Sequence, residues 1–259
     1  REAQKLCRAE CPAGAEGQIK AATTRHYDGY WVNGSLKKQR AQQRLIETAS
    51  PRSILTEIHT DEFTAITELT IYAPDHPRLL ALITGACAAA SANIMGAQIF
   101  TTTDGMALDT ILIQREFSTE DDEQRRAERV ADIIRQALQG QLRLRDAVAN
   151  ANQRRPRIKA FSVEPRVIID NQSSNRFTVI EINGLDRIGL LYNLTDALYH
   201  LSLNIASAHI TTFGEKAIDV FYVTDLTGVK IVNPARHLQI ERELMKVLGP
   251  MADKLANAN

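Results

Sequence analysis

The stretch GLDRIGLL, from Gly184 to Leu191, separates two runs with different apolar patterns. The run before it, FTVIEI (Phe177 to Ile182), alternates along the chain and is rich in β-branched side chains, as strands are. The run after it, LLYNLTDALYHL (190–201), carries its apolar side chains on one helical face. The stretch therefore predicts a strand-to-helix turn. Asp186 is the expected N-cap, because its carboxylate would accept a hydrogen bond from the backbone N–H of Gly189.

A similar turn occurs earlier in the chain, in APDHPRLL from Ala73 to Leu80. Asp75 and Asp186 lie 111 residues apart, and at that offset the segments beginning NIMGAQIF and NIASAHIT also align. The alignment resumes at Asp109 and Asp219 once one residue is dropped from the second turn, and a turn is where a deletion does least harm. The chain therefore contains one supersecondary unit twice.

Each unit is predicted to run strand, helix, hairpin, helix. The predicted elements are 67–73, 79–90, 97–101, 107–113 and 120–139 in the first unit, and 177–183, 190–201, 207–212, 217–224 and 235–248 in the second. This order approaches the ferredoxin-like βαββαβ plan. A further strand is predicted just before each unit, at 54–59 and 167–170, where it would fill the missing edge position. We therefore expect an α+β fold with two circularly permuted ferredoxin-like domains in tandem.

The domain boundaries follow from these elements. Residues 54–150 are expected to form the first domain and residues 151–259 the second. Residues 1–53 are expected to be the helical tail of an upstream domain and a connector. The opening REAQKLCRAECP has no Met and no apolar signal core, so we interpret the chain as a piece of a longer protein.

The composition excludes several classes of protein. Among 259 residues, 31 Lys and Arg balance 31 Asp and Glu, and a nucleic-acid binder usually shows a basic excess. Aromatic residues are only 5%, too few for an RNA-binding sheet. No apolar run approaches the roughly 18–20 residues of a membrane span. The three cysteines do not suggest a disulfide framework and favour a reducing compartment.

Motifs for catalysis and metal binding are missing from the sequence. It has no Asp-x-Asp for a metal-dependent transfer and no adjacent His-Asp, and its six histidines show no metal-ligand spacing. We therefore expect no catalytic site and no metal site in this chain. Asp109 and Asp219, inside predicted strands, are interpreted as facing solvent or a partner strand.

The repeated turn has a possible binding role as well as a structural one. A strand-to-helix turn exposes free backbone N–H groups at the positive end of the helix dipole. Such a helix start attracts small carboxylates. It can be capped and still bind a ligand.

The D-R-x-G-L-L turn, the Asn-Ile start of the next strand and the βαββα order resemble the ACT family of amino-acid-sensing modules. These modules usually pair so that ligands bind at the interface between domains. Over nearly the whole chain from Tyr27, segments such as NIASAHITTFGEKAIDVFYVTD also resemble the C-terminal regulatory region of the bifunctional PII uridylyltransferase/uridylyl-removing enzyme family, of the alphaproteobacterial type. HYDGYW (26–31) resembles the connector that follows the HD domain in that family.

That resemblance implies a function. Enzymes of this family add UMP to the signal protein PII when glutamine is scarce and remove it when glutamine is plentiful. The implied ligand is L-glutamine, the implied protein partner is PII, and the implied location is the cytoplasm. The chemistry, with the Mg²⁺ expected for it, belongs to nucleotidyltransferase and HD domains that this chain does not contain.

The resemblance also implies binding residues in both units. In the second unit they lie at the turn and along the next strand: Asp186, Arg187, Gly189, Leu190, Leu191, Asn204 and His209. In the first unit the counterparts are Asp75, His76, Arg78, Asn93 and Gln98. The first turn departs from the motif, because Pro77 removes a donor and Arg78 stands where the second turn has glycine. Its site is expected to be weaker or to recognise ligand differently.

Two other functions fit the same residues. The chain could be an ACT-domain amino-acid sensor of another metabolic enzyme or regulator. It could also be a structural dimerisation module without a ligand.

Overall fold

The computed structural model describes residues 25–26, 30, 36–50, 53–61, 63–153 and 163–249. Most of the predicted N-terminal region 1–53, with Cys7 and Cys11, lies outside these residues. So do residues 154–162 and the end of the chain from residue 250.

The described elements follow the predicted repeat. A helix α1 (Leu36–Glu47) comes first. The first unit contains β1 (Leu55–Asp61), β2 (Ile66–Pro74), α2 (Leu79–Ala89), β3 (Ile94–Thr101), β4 (Met106–Gln114), α3 (Glu120–Leu138) and α4 (Leu144–Gln153). The second contains β5 (Arg166–Asp170), β6 (Thr178–Leu185), α5 (Leu190–His200), β7 (Leu203–Phe213), β8 (Lys216–Asp225) and α6 (Pro234–Leu248). The predicted α+β class is confirmed. Helix α4 was not predicted, and it crosses the boundary expected at residue 150.

All eight strands belong to one sheet, in the order β1-β2-β4-β3-β7-β8-β6-β5. In each unit the strand that precedes the repeat, β1 or β5, pairs antiparallel with the next strand at an outer edge. This edge position is the one that the last strand of a ferredoxin-like sheet would fill. The prediction of circularly permuted edge strands is therefore confirmed.

The two units join edge to edge through β3 and β7. The strands pair antiparallel, with Gln98 opposite His209, and these two residues also occupy equivalent positions in the repeat. A local twofold axis therefore crosses the sheet at this pair. The antiparallel pairing brings the start of β3 beside the end of β7, so each unit reaches the other's strand-to-helix turn.

The hydrophobic core lies on one face of this sheet and continues across both units. Helices α2, α3, α5 and α6 cover that face, and α4 packs on α2. Burying a continuous apolar layer on both sides of the β3–β7 seam couples the stability of the two units.

Helix α1 packs on the opposite face of the sheet, over the first unit. Ile46 is buried there with Tyr30, Tyr72 and Leu108. The side-chain amide of Gln42 also donates to the Thr110 hydroxyl at 3.1 Å. Part of the predicted N-terminal region therefore folds onto the first unit.

Candidate functional site: a cleft between the two units

A narrow cleft opens where the strand-to-helix turn of the second unit meets the end of α2 and the start of β3. The second unit lines it with the turn, the first residues of α5 and side chains from β7 and β8, and the first unit adds a smaller group. The lining residues are Thr84, Ala88, Ala92, Asn93, Ile94, Asp186, Arg187, Ile188, Gly189, Leu190, Leu191, Tyr192, Ile210, Thr212, Ala217 and Asp219. The site is therefore built from both units.

The turn at the cleft differs from the expected capped turn. The N-cap of α5 is Gly189, with a left-handed φ of 75° and no capping side chain. The prediction that Asp186 caps the helix is wrong, because the left-handed residue turns the chain three positions later. Glycine suits this conformation because it lacks a Cβ.

The start of α5 offers donors to the cleft. The Leu190 N–H donates to the Arg187 carbonyl at 3.0 Å. Within the described part of the chain, the N–H groups of Leu191 and Tyr192 have no backbone acceptor. Such unpaired donors at the positive end of a helix stabilise a bound carboxylate.

Backbone and side-chain contacts hold the turn in place. The Asp186 N–H donates to the Glu215 carbonyl at 2.8 Å, which ties the turn to the β7–β8 hairpin. The Arg187 guanidinium donates through Nη2 to the Val247 carbonyl at 2.5 Å. This carbonyl lies at the C-terminal end of α6, where a cation is favourably placed. Arg187 therefore anchors the turn to α6.

Two carboxyl groups of the second unit come together at the cleft. Asp219 is buried, with 2% of its surface exposed, and Asp186 is partly buried. Burial, followed by the negative charge of Asp186, raises the pKa of Asp219 to about 7. Burial also raises the pKa of Asp186, although the backbone and the charge of Arg187 oppose that shift.

The expectation that Asp109 and Asp219 face solvent or a partner strand is wrong. Both carboxylates are buried among the core-facing side chains of β4 and β8. Asp109 is the counterpart of Asp219 in the first unit. Burial, and to a smaller extent the negative charge of Asp75, raises the pKa of Asp109. Strand alternation is the signal that would have placed Asp219, because Ala217, Phe221 and Val223 all point to the core.

The first unit contributes polar groups to the cleft. The Asn93 amide lies just before β3 and donates to Gln114 Oε1 at 3.1 Å. Thr212 of the second unit donates to the Ile94 carbonyl at 3.4 Å, which closes the floor between the units. Thr84, Thr212 and Asp219 also line the cleft, although they were not predicted as site residues.

The other predicted site residues do not line this cleft. His209 and Gln98 alternate with the core-facing side chains of their strands, so they point away from the helices. Asn204, at the start of β7, lies on the side of the first-unit turn. Asn93 therefore occupies the place in this cleft that was predicted for Asn204. The reason is that the antiparallel pairing of β3 with β7 brings the start of each strand to the turn of the other unit.

The first-unit turn is held by a similar backbone hydrogen bond, but its side-chain contacts differ. Asp75 donates from its N–H to the Gly105 carbonyl at 3.0 Å and accepts from the Thr101 hydroxyl at 3.1 Å. The Arg78 N–H lies 3.3 Å from His76 Nδ1, so one donor of this turn is occupied.

Two large side chains cover the first-unit turn. The Arg78 guanidinium lies over the Tyr199 ring, 5.6 Å from its centroid. Arg78 stands at the position of Gly189 in the repeat, and Tyr199 at the position of Ala88. The two small residues that open the second-unit cleft are therefore replaced by a stacked pair.

No group of three or more metal-ligating side chains occurs among the residues that the structure describes. No helix in the same ranges is long and apolar enough to cross a membrane.

This fold and inter-unit cleft define an ACT-type regulatory module. Residues 173–247, which contain most of the second unit, match the family model described as the ACR family N-terminal ACT domain. The solved structure of aspartate kinase from Synechocystis superposes with a TM-score of 0.41 at 17% identity, over 75% of this chain and 28% of the other, a likeness too distant to bear on function.

Three curated relatives share the name bifunctional uridylyltransferase/uridylyl-removing enzyme. The chain is 49% identical to that of Nitrobacter hamburgensis over 96% of its own length and 27% of the relative's. It is 48% identical to that of Rhodopseudomonas palustris over 99% and 28% of the two lengths. The enzyme of a Bradyrhizobium species is 50% identical over 90% and 25%. The chain therefore belongs to this enzyme family and corresponds to its C-terminal, ACT-containing portion. It spans about a quarter of the relatives' length.

Proposed function

We propose that this chain is the glutamine-sensing region of a cytoplasmic PII uridylyltransferase/uridylyl-removing enzyme. The cleft at the Asp186–Leu191 turn is the proposed glutamine site, and its occupancy shifts the enzyme from UMP transfer towards UMP removal. The transfer and removal chemistry, and the Mg²⁺ expected for it, are assigned to parts of the enzyme outside this chain. The observation that carries the proposal is one cleft that combines free helix N-terminal donors, an acidic pair and an amide.

The cleft chemistry suits a neutral amino acid. The N-terminal donors of α5 suit the α-carboxylate, and the acidic pair suits the α-ammonium group. The Asn93 amide oxygen suits the side-chain NH₂ of glutamine. A glutamate side chain has no such donor, and it would add negative charge beside Asp186 and Asp219.

A ligand in this cleft would contact both units at once. Ligand binding stabilises whichever arrangement of the two units closes the cleft best. This gives a route from glutamine binding to catalytic parts that lie elsewhere, because a change between the units alters the surface they present.

Calorimetric titration of the 259-residue chain with L-glutamine tests the sensor assignment. L-Glutamate and L-asparagine serve as controls. We expect selective glutamine binding at one site per chain. A folded sample that gives no heat with glutamine, or equal affinity for glutamate, would sink the glutamine assignment.

The regulatory part of the proposal needs the whole enzyme that carries this chain. Gly189→Ala should raise the glutamine concentration needed to favour UMP removal from PII, with little change in glutamine-independent transfer. An unchanged glutamine response in that variant would contradict the assignment of the cleft as the regulatory site.

A further inference from the structure

Asp219 is a polar residue in an apolar row. Along β8 it alternates in phase with Ala217, Phe221 and Val223, all of which are buried against the helices. Its neighbours across the sheet are Ile182 and Ile210. Its carboxyl group nevertheless lines the inter-unit cleft.

One oxygen of this group has no partner in the described part of the fold. Among the described residues, none forms a hydrogen bond with Asp219 Oδ1. The charged group that acts on Asp219 is the carboxylate of Asp186, which has the same sign. A buried carboxylate oxygen without a partner is costly, and each such atom in a native structure calls for an explanation.

A cation within the cleft would provide that explanation. It would lie between the Asp219 and Asp186 carboxyl groups and pair with both. The donors at the start of α5 border the same space, so a carboxylate of the same ligand would lie beside them. An α-amino acid carries both groups on one carbon atom.

We propose that Asp219 is the specificity-determining acceptor for the ligand's α-ammonium group, acting with Asp186. The inference rests on the proposed amino-acid-sensing function. It deepens that function by assigning recognition of the ammonium group to a buried strand residue outside the turn motif.

Ligand binding beside Asp219 and Asp186 should also release a proton. The titratable or charged groups lining the cleft are Asp186, Arg187, Tyr192 and Asp219; β6 and β7 present isoleucines to Asp219, and the first unit presents Thr84, Ala88 and Asn93. Because the pKa of Asp219 is raised to about 7, the acidic pair retains a proton over part of the neutral range. An arriving ammonium group favours the ionised pair, so binding should release that proton.

The chain offers a matched pair of variants. Asp219→Asn removes the charge from the cleft and keeps the side-chain size. Asp109→Asn makes the same change at the equivalent, equally buried position of the first unit. We expect Asp219→Asn to weaken L-glutamine binding by roughly 100-fold, as loss of a buried charged partner does. Asp109→Asn should leave it within about threefold.

A ligand analogue and a proton measurement test the same point without a variant. Glutaramic acid is glutamine without its ammonium group, and it should bind the unaltered chain far more weakly than glutamine. Titrations at pH 7 in two buffers with different ionisation enthalpies should show proton release with glutamine. If Asp219→Asn does not fold, these two measurements test whether the acidic pair binds the ligand's ammonium group.

The outcomes separate this inference from the proposed function. Equal glutamine binding by Asp219→Asn, equal losses in both variants, or equal binding of glutaramic acid would overturn the role of Asp219 and leave glutamine sensing in place. Binding of a different amino acid, lost in Asp219→Asn alone, would overturn the glutamine assignment and support the role of Asp219. A folded chain that binds no amino acid would overturn both.

Discussion

The hydroxyl groups of Thr84 and Thr195 lie 3.1 Å apart, and the two threonines are the same position in the two repeats. They join α2 to α5 in the core, while Gln98 and His209 mark the same axis in the sheet below. A residue that meets its own repeat counterpart lies on the local twofold axis. The two units are therefore joined both by strand pairing and by helix packing.

The hydrogen bond between these two threonines should contribute to the stability of the protein. Each hydroxyl also lies 2.8 Å from a carbonyl of its own helix, Leu80 for Thr84 and Leu191 for Thr195. With one proton each, one hydroxyl can donate to the other while the second donates to its own helix. Either Thr→Val change should therefore cost about 1 kcal/mol of unfolding free energy.

The double variant Thr84→Val/Thr195→Val should cost about the sum of the single changes, because each single change leaves the other hydroxyl able to donate to its own helix. Urea unfolding of the four proteins gives the coupling directly. A single change that costs nothing would mean that the two hydroxyl groups do not form this hydrogen bond in solution.

Gly189 should be needed both for stability and for binding. With φ at 75°, an alanine there would adopt a left-handed conformation that costs about 1 kcal/mol. The turn would shift and misplace the donors of α5, so glutamine affinity should fall. Thermal unfolding and calorimetric titration measure the two effects.

Gly214 provides a matched control for Gly189. It is also left-handed, with φ at 59°, but it lies in the β7–β8 hairpin, where an added Cβ atom would meet nothing within 4 Å. Gly214→Ala should lower stability by a similar amount and leave binding unchanged. Equal loss of binding in both variants would show that Gly189 acts only through stability.

The repeat accounts for most of what the sequence predicts of the fold. Apart from α4, each strand and helix of one unit has a counterpart in the other at a nearly constant offset. Weak local signals therefore support each other, and even the permuted edge strands β1 and β5 can be placed. Helix α4 has no counterpart in the second unit as far as residue 249, where the described part of the chain ends. Its stability depends on packing Leu144 and Val148 against α2 and α5, which no local pattern reveals.

The site is harder to predict because residues of both units form it. The sequence groups Asn204 with Asp186 since both belong to the second unit, but the register of β3 against β7 brings Asn93 there instead. Pairing between strands of different units depends on tertiary packing, and neither strand encodes its partner. Asp219, in contrast, could have been found from strand alternation alone.

Only the second-unit turn should bind a ligand in the unaltered chain. Arg78 and Tyr199 cover the first-unit position that Gly189 and Ala88 leave open in the second. The unaltered chain should therefore bind one glutamine. Calorimetry showing two equivalent sites would contradict this closure.

The double variant Arg78→Gly/Tyr199→Ala probes the closure from the other direction. It restores the small residues of the open cleft, so a second, weaker binding event should become measurable. Asp75→Asn in that background should remove the second event without affecting the first. A second event that is insensitive to Asp75 would not come from the first-unit turn.

The buried carboxyl of Asp219 should make the stability of the protein depend on pH. Its pKa rises from 3.8 to about 7 on folding, so the native state binds the proton more tightly than the unfolded state does. The free energy of unfolding should therefore fall as pH rises from about 4 to about 7, by up to about 4 kcal/mol from this group. Above pH 7 the contribution should level off, because both states are then ionised.

Asp219→Asn removes this proton linkage. The variant should match the unaltered chain most closely near pH 4 and exceed its stability increasingly towards pH 7, because an amide has no charge to bury. Urea unfolding at several pH values between about 4 and 8 measures the divergence. Asp186 remains in both proteins, so its own raised pKa contributes to both curves. Parallel curves across this range would mean that Asp219 is already ionised at low pH in the native state, and that a partner compensates its charge.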